Sequence, residues 1–297
     1  MAARLEDLHR SFARHLRAEG CSPRTVVVYG QAIRFFSEWL TAQGRPATLD
    51  ELTRAAAREW LAQLADRNEL STVRTRYKGM ARFCNWLVGE EELTASPLAG
   101  IAAPDAPAKP VAVLSDADLA ALMKACAGKD FPDRRDEAMI RVLLDCGVRV
   151  SELCGLTVDG LDLDAGMAMV RGKGDKVRPI YMGARTIRAL DRYLRLRRTH
   201  RWSHLDALFL SQRGAMTPDG VRDRLRTRAT QAGLDDLHPH RFRHTFAHDF
   251  LMNGGQERDL KRLAGWSSDV MLERYGASAA DARARAAAQR MKRGDRV

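Results

Sequence analysis

The chain has 297 residues, of which 45% are hydrophobic and 29% charged, enough apolar content for one large domain or two ordinary ones. Its formal net charge of +11, with 49 Lys/Arg against 38 Asp/Glu, points to a polyanionic partner, nucleic acid before an anionic membrane surface. No apolar run approaches the roughly 20 residues that span a bilayer, and the charged, amphipathic start MAARLEDLHRSFARHL is unlike a secretory signal, so a cytoplasmic protein without membrane association is expected.

Residues 1–100 read as a small bundle of four helices. The first covers Leu5 to Ala18 and stops at Gly20. Ser22-Pro23 supplies an N-cap and a first-turn proline for the second, which runs to Ala42 with Val26, Tyr29, Ile33, Phe36 and Leu40 as its apolar stripe. Thr53 caps a third helix through Leu64. Ser71 is expected to cap a fourth, with Val73, Tyr77, Met80, Phe83, Trp86 and Leu87 facing inward. The stretch PLAGIAAPDAPAKPV (97–111) holds four prolines and no period, which marks residues 101–112 as a linker and 113–297 as a second domain.

That domain opens on SDAD at 115–118, a capping box in its Asp form, followed by helices to Cys126 and from Asp133 to Cys146, with Gly147 as the stop. VSELCGL is a short helix. The period then changes, and MAMVRGKGDKVRPIY (167–181) reads as a β-hairpin around a Gly-Asp turn. Helices resume over 184–199, 217–231, 240–253, 256–264 and 268–275, and a last one over 278–292 is rich in Ala and Arg. The five cysteines, Cys21, Cys84, Cys126, Cys146 and Cys154, lack CxxC spacing and fall mostly in apolar segments, as reduced core residues do.

HPHRFRHTF (238–246) concentrates nitrogen donors and poses a choice between a metal cation and an anion. On a helix, His240, His244 and His248 share a face, and two histidines at i, i+4 suit zinc. Arg241 and Arg243 would repel a dication, however, and no glutamate stands between the histidines as a base. An anion is the better reading, with capping or core histidines as the plain alternative. Further donors lie elsewhere: Arg149 after a helix stop with Glu152 at i+3, Lys173 at the lip of the hairpin turn, Trp266 in AGWSS, and Tyr275 before Gly276. Each is common alone; their ordered conjunction is not.

The order GVRVSEL, GKGDKVR, HPHRFRH, AGWSS, Tyr resembles the tyrosine recombinase (phage integrase) family over essentially the whole chain. The resemblance implies a mainly α fold, in which an N-terminal helical bundle of the core-binding, SAM-like kind precedes a mixed α/β, mostly helical catalytic domain with a small β-hairpin. It implies a site-specific recombinase that cleaves and rejoins double-stranded DNA through a 3′-phosphotyrosyl intermediate, needing neither metal nor cofactor. By position, Arg149 and Arg243 fall on the two phosphate-binding arginines and Glu152 on the acidic companion of the first. Lys173 falls on the hairpin general acid, His240 on the His of His-x-x-Arg, Trp266 on the His/Trp position and Tyr275 on the nucleophile. Lys173 is preferred over its neighbours Lys176 and Arg178. His240 as base or phosphate donor, and Trp266 as phosphate donor or buttress, stay open. LAGW in place of Leu-Gly-His and His248 in place of a small residue depart from the family pattern.

The resemblance further implies a tetramer on two DNA sites, with the tail after Tyr275 exchanged between protomers; a tail folded back on its own domain is the alternative. The arginine runs RYLRLRRTHR (192–201) and RDRLRTR (222–228) are expected to serve DNA phosphate contact. Supercoil relaxation of the type IB topoisomerase kind is the main competing activity, and a regulator that binds DNA without catalysis is a third. Within recombinases both integration of mobile elements and Xer-type chromosome resolution are open, with AGWSSDVMLERYG leaning toward the former.

Overall fold

The computed structural model describes residues 3–106, 112–172, 175–266, 268–291 and 293–296, and within the last helix it leaves the side chains of several residues undescribed, Tyr275 among them. The chain divides into two compact units, Met1–Ala108 and Lys109–Val297.

The first unit is helical: α1 (Leu5–Ala18), α2 (Pro23–Ala42), α3 (Arg54–Arg67) and α4 (Leu70–Gly89), with one 3-10 turn at Leu49–Glu51. Side chains start two of these helices. Ser22 Oγ accepts from the Thr25 N–H at 3.1 Å and Thr53 Oγ1 from the Ala56 N–H at 3.2 Å, which satisfies a donor the helix leaves open. Ser71 does not cap α4: the helix starts two residues earlier, Glu69 is its N-cap without a side-chain bond, and Ser71 lies inside the first turn. The core is aromatic-rich, with the Phe36 ring edge-on to Trp60 at 5.4 Å and Phe12 edge-on to Phe83 at the same distance. Part of the proline stretch belongs to this core, since Leu98 is buried and the Tyr77 hydroxyl donates to the Ile101 carbonyl at 2.7 Å.

The second unit is built on α6 (Phe131–Cys146), whose buried residues Ala138, Met139, Ile140, Val142 and Leu143 place it at the centre. Around it stand α5 (Asp116–Ala125), α7 (Val150–Cys154), α8 (Ala184–Arg197), α9 (Pro218–Ala232), α10 (Pro239–Met252), α11 (Glu257–Ala264) and α12 (Asp269–Met291). The Ser115/Asp118 capping box is present at the head of α5. A three-stranded antiparallel sheet runs in the order β1 (Leu161–Asp162), β2 (Met167–Arg171), β3 (Val177–Tyr181). The β2–β3 hairpin matches the expectation, with Arg171 opposite Val177 and Met167 opposite Tyr181. β1 and the pair β4 (Leu210–Ser211) and β5 (Gly214–Ala215) were not legible in the sequence, since two residues show no period. α12 is one helix where two were expected, running through Gly276 without a break; it packs along α10, and Arg283 bonds Glu257 of α11 at 2.7 Å, so the tail lies on its own domain in this chain.

Each of the two arginine runs turns some of its members inward. Asp136, 1% exposed, accepts from Arg135 at 2.8 Å, Arg224 at 2.8 Å and Arg228 at 2.8 Å, and Arg228 also bonds Asp133 at 2.8 Å. Arg197 is buried and donates to the carbonyls of Ser203, Leu205, Ala207 and Leu208. These arginines pin α9 and the 203–208 loop to the core, while Arg195, Arg198, Arg201, Arg222 and Arg226 of the same runs stay exposed. Asp136→Asn would leave several buried guanidiniums short of charge compensation. We expect it to cost about 3–5 kcal/mol of stability, the range for breaking a buried ion pair from one side, measured as a lowered urea midpoint with unchanged slope.

Candidate active site

Two left-handed glycine caps frame the site. Gly147 (φ 55°) ends α6, and a Cβ there would lie 2.3 Å from the Phe246 ring; Gly265 (φ 64°) ends α11. Glycine reaches this backbone region without steric cost, so each helix stops short and hands its last carbonyls to other donors.

Arg149 follows the first cap and is the N-cap of α7. Its backbone N–H donates to Glu152 Oε2 at 2.8 Å and its guanidinium to Glu152 Oε1 at 2.8 Å, so one carboxylate fixes both the backbone and the side chain. Glu152 is 2% exposed and receives a second guanidinium, Arg178 Nη2, at 3.1 Å. Burial pushes its carboxyl up, but the Arg149 N–H and the Arg178 and Arg149 charges outweigh burial and hold it below its ordinary range.

The carbonyls that end α11 gather three arginines. Arg178 Nε donates to Leu263 O at 3.0 Å, Arg243 Nη2 to Ala264 O at 2.6 Å and Arg149 Nη2 to Gly265 O at 3.4 Å. Arg243 also donates to Gly147 O at 2.6 Å, which ties the caps of α6 and α11 together, and its guanidinium carbon lies 5.3 Å from the centre of the Trp266 ring. Arg243 is buried while Arg149 keeps 36% of its side chain exposed, so the cluster has a solvent-facing member.

Arg149, Glu152, Arg243 and Trp266 are therefore brought together. His240 stands one turn before Arg243, exposed in the first turn of α10, where helix N–H groups point outward and favour an anion. Lys173 lies outside the described residues, but its neighbour Gly172 does not: a Cβ there would sit 3.3 Å from Glu152 Oε1, so the base of the hairpin abuts the cluster. Tyr275 lies on the second turn of α12, the helix that follows Trp266, and its side chain is outside the described ones. Arg178, weighed in the sequence only as a rival to Lys173, joins the cluster in another place, between Glu152 and Leu263 O. The available signal was its place on the same strand face as buried Ile180, where a charge requires a partner. Among the described residues, no three His, Cys, Asp or Glu side chains gather as metal ligands would, and no helix is long and apolar enough to cross a membrane. The thiols of Cys84, Cys126, Cys146 and Cys154 are pushed up by burial, which removes them from nucleophilic chemistry at neutral pH.

Guanidiniums converging on one spot, with a tyrosine helix starting beside them, suit transfer of a phosphodiester to a phenol, the chemistry of enzymes that cut DNA by covalent capture. The chain belongs to the phage integrase family: residues 112–282 match the Phage integrase family and residues 8–93 the Phage integrase, N-terminal SAM-like domain. It is a tyrosine recombinase, an enzyme of site-specific DNA recombination. It is 34% identical over 254 residues to Tyrosine recombinase XerD of Pseudomonas putida, covering 84% of this chain and 85% of that one. It is 31% identical over 278 residues to Tyrosine recombinase XerC of Chromobacterium violaceum, covering 92% and 90%. Among solved structures it resembles XerA recombinase (26% identity, TM-score 0.55, 96% of this chain and 98% of that). It shares its fold with XerH bound to a palindromic difH substrate (18% identity, TM-score 0.74, 91% and 81%).

Because the folded Glu152 carboxyl lies below its ordinary value of 4.5, its contribution is complete above that value and is lost as pH falls through the folded one. Glu152→Gln removes that dependence. Chemical denaturation between about pH 5 and pH 3 should show a steeper fall in stability for the parent than for the variant; parallel curves would contradict the pairing.

Proposed function

We propose that Arg149 and Arg243 hold the non-bridging oxygens of a scissile phosphodiester while the Tyr275 phenol oxygen attacks phosphorus. The phosphorus–5′-oxygen bond breaks, and the departing oxygen takes a proton from Lys173. The phenol proton passes to His240 or to solvent, and the strand end stays as a 3′-phosphotyrosyl ester. Attack by a 5′-hydroxyl reverses these steps and releases Tyr275, so the bond energy is kept and no nucleotide is consumed. Tyrosine suits the task because its pKa of about 10 lies far below that of an alkyl alcohol, and adjacent guanidinium charge favours the phenolate. Glu152 orients Arg149, and Trp266 stacks against Arg243 at the head of the tyrosine helix.

The observation that carries this reading is the pair of adjacent carbonyls, Ala264 and Gly265, which accept from Arg243 and Arg149. Residues 94 positions apart in the chain thereby meet beside the turn that leads to Tyr275. The 1–100 segment would act as the core-binding domain, and two DNA sites would be held by a tetramer. The Xer names of relatives at 31–34% identity favour a Xer-type recombinase over an integrase of mobile elements.

Tyr275→Phe should bind duplex DNA and form no covalent adduct on denaturing gels; an adduct that persists would falsify the nucleophile assignment. Arg149→Gln or Arg243→Gln should slow cleavage by about a hundred- to a thousandfold, the scale for loss of one preorganised oxyanion donor, measured by single-turnover adduct formation. Relaxation of a supercoiled plasmid without a target site would instead favour topoisomerase action.

A further inference from the structure

A second concentration of arginine lies away from the Glu152 cluster, on the seam between α6 and α8. Arg141 of α6 and Arg185, Arg188 and Arg192 of α8 line a cavity of about 250 Å³. On α8 the three recur at i, i+3, i+7 and so share a face. α8 begins three residues beyond Tyr181, the last residue of β3, so the seam starts at the end of the strand away from Val177.

The charge balance of the cavity is uneven. Glu137, buried at its edge, accepts from Arg192 at 2.9 Å and 3.1 Å, from Arg141 at 3.0 Å and from Arg134 at 3.4 Å. One carboxylate therefore serves three arginines. Arg185 and Arg188 are exposed and make no ion pair with a described residue, and Asp145 near the head of α8 is taken by the Gly183 N–H at 2.8 Å. Arg192 Nε is buried without an acceptor. A buried guanidinium N–H without a partner is costly, and like charges gathered round one cavity repel. An anion seated there would relieve the repulsion.

We propose that the α6–α8 seam is a binding site for a small oligophosphate, a chain of two or three phosphoryl groups. The four lining guanidiniums carry four positive charges and Glu137 removes one, so the remainder suits a multivalent anion better than a single carboxylate. Guanidinium forks match phosphoryl oxygens bidentately. The volume, equal to about eight waters, admits such a chain. Buried Glu137 fixes Arg141 and Arg192 as the floor, and Arg185 and Arg188 form the rim that closes on the ligand.

The test uses the full chain, sodium tripolyphosphate as probe, and Arg185→Gln/Arg188→Gln, a rim variant that leaves the Glu137 hub intact. Calorimetry and thermal melting should show saturable tripolyphosphate binding with a dose-dependent rise in Tm. The variant, with an unchanged circular dichroism spectrum and melting temperature in the absence of probe, should bind at least about tenfold more weakly, as expected for loss of two charge-assisted donors. Equal binding by parent and variant would overturn the proposal. So would an equal rise in Tm with sodium sulfate at matched ionic strength, which would mark general screening. Displacement of the probe by a short duplex of arbitrary sequence, with the variant losing duplex affinity in proportion, would assign the seam to DNA phosphates and overturn it as well.

Discussion

The site depends on how the last three carbonyls of α11 are satisfied. Helix ends leave such acceptors open, and here Leu263, Ala264 and Gly265 take guanidinium donors from Arg178, Arg243 and Arg149. A carbonyl satisfies an N–H without cancelling its charge. Three arginines and one carboxylate, Glu152, therefore leave an excess of two positive charges at the cluster. A phosphodiester carries one negative charge and gains another as its transition state forms, so the excess matches the demand of the reaction. The Asp136 hub makes the contrast. There Arg135, Arg224 and Arg228 meet a buried carboxylate, with Asp133 adding a second on Arg228, and the result is a structural joint.

The same carbonyls set the geometry. Arg149 comes from the turn after α6, Arg178 from β3 and Arg243 from α10, and all three donate to the α11 cap. Arg243 extends the tie to Gly147 O, so the two glycine caps are held at one distance by a single planar side chain. Donors fixed in this way do not have to reorganise when charge develops on a ligand, which is where electrostatic catalysis has its advantage over water. Trp266 follows directly on the cap, and through it the start of α12 is registered to the arginines.

Local chemistry made α2, α3 and α5 legible from sequence, because Ser22-Pro23, Thr53 and the Ser115/Asp118 box act within one turn of chain. The hairpin was legible for the same reason: its turn residues and its change of period are adjacent. Arg149 and Arg243 carried local signs too, a glycine stop before one and a His-x-x-Arg turn around the other. What failed was long-range. The inward-facing half of RDRLRTR was not legible because the carboxylate that takes Arg224 and Arg228 lies about ninety residues earlier. The place of Arg178 beside Glu152 was not legible because its two acceptors, Glu152 and Leu263 O, come from distant segments on either side of it in the chain. Gly276 looked like a helix stop, yet α12 passes through it, since packing against α10 outweighs the roughly 1 kcal/mol that glycine costs in a helix interior.

That continuity constrains how the proposed tetramer could form. α12 carries Tyr275 in its second turn and Arg283 two turns later, where Arg283 bonds Glu257 of α11. A tail that leaves this chain to dock on a neighbour must break that pair and the packing of α12 along α10. While the helix stays whole, moving the tail also moves the turn that bears the tyrosine, away from arginines that remain fixed to the α11 cap. The two can be separated only if the helix opens between them, and Gly276 marks the point of lowest helical propensity between Tyr275 and Arg283. On the proposed reading, assembly and catalysis would be coupled through one residue: a helix that stays intact would link the position of the proposed nucleophile, Tyr275, to that of the tail, and a helix that opens at Gly276 would release one from the other.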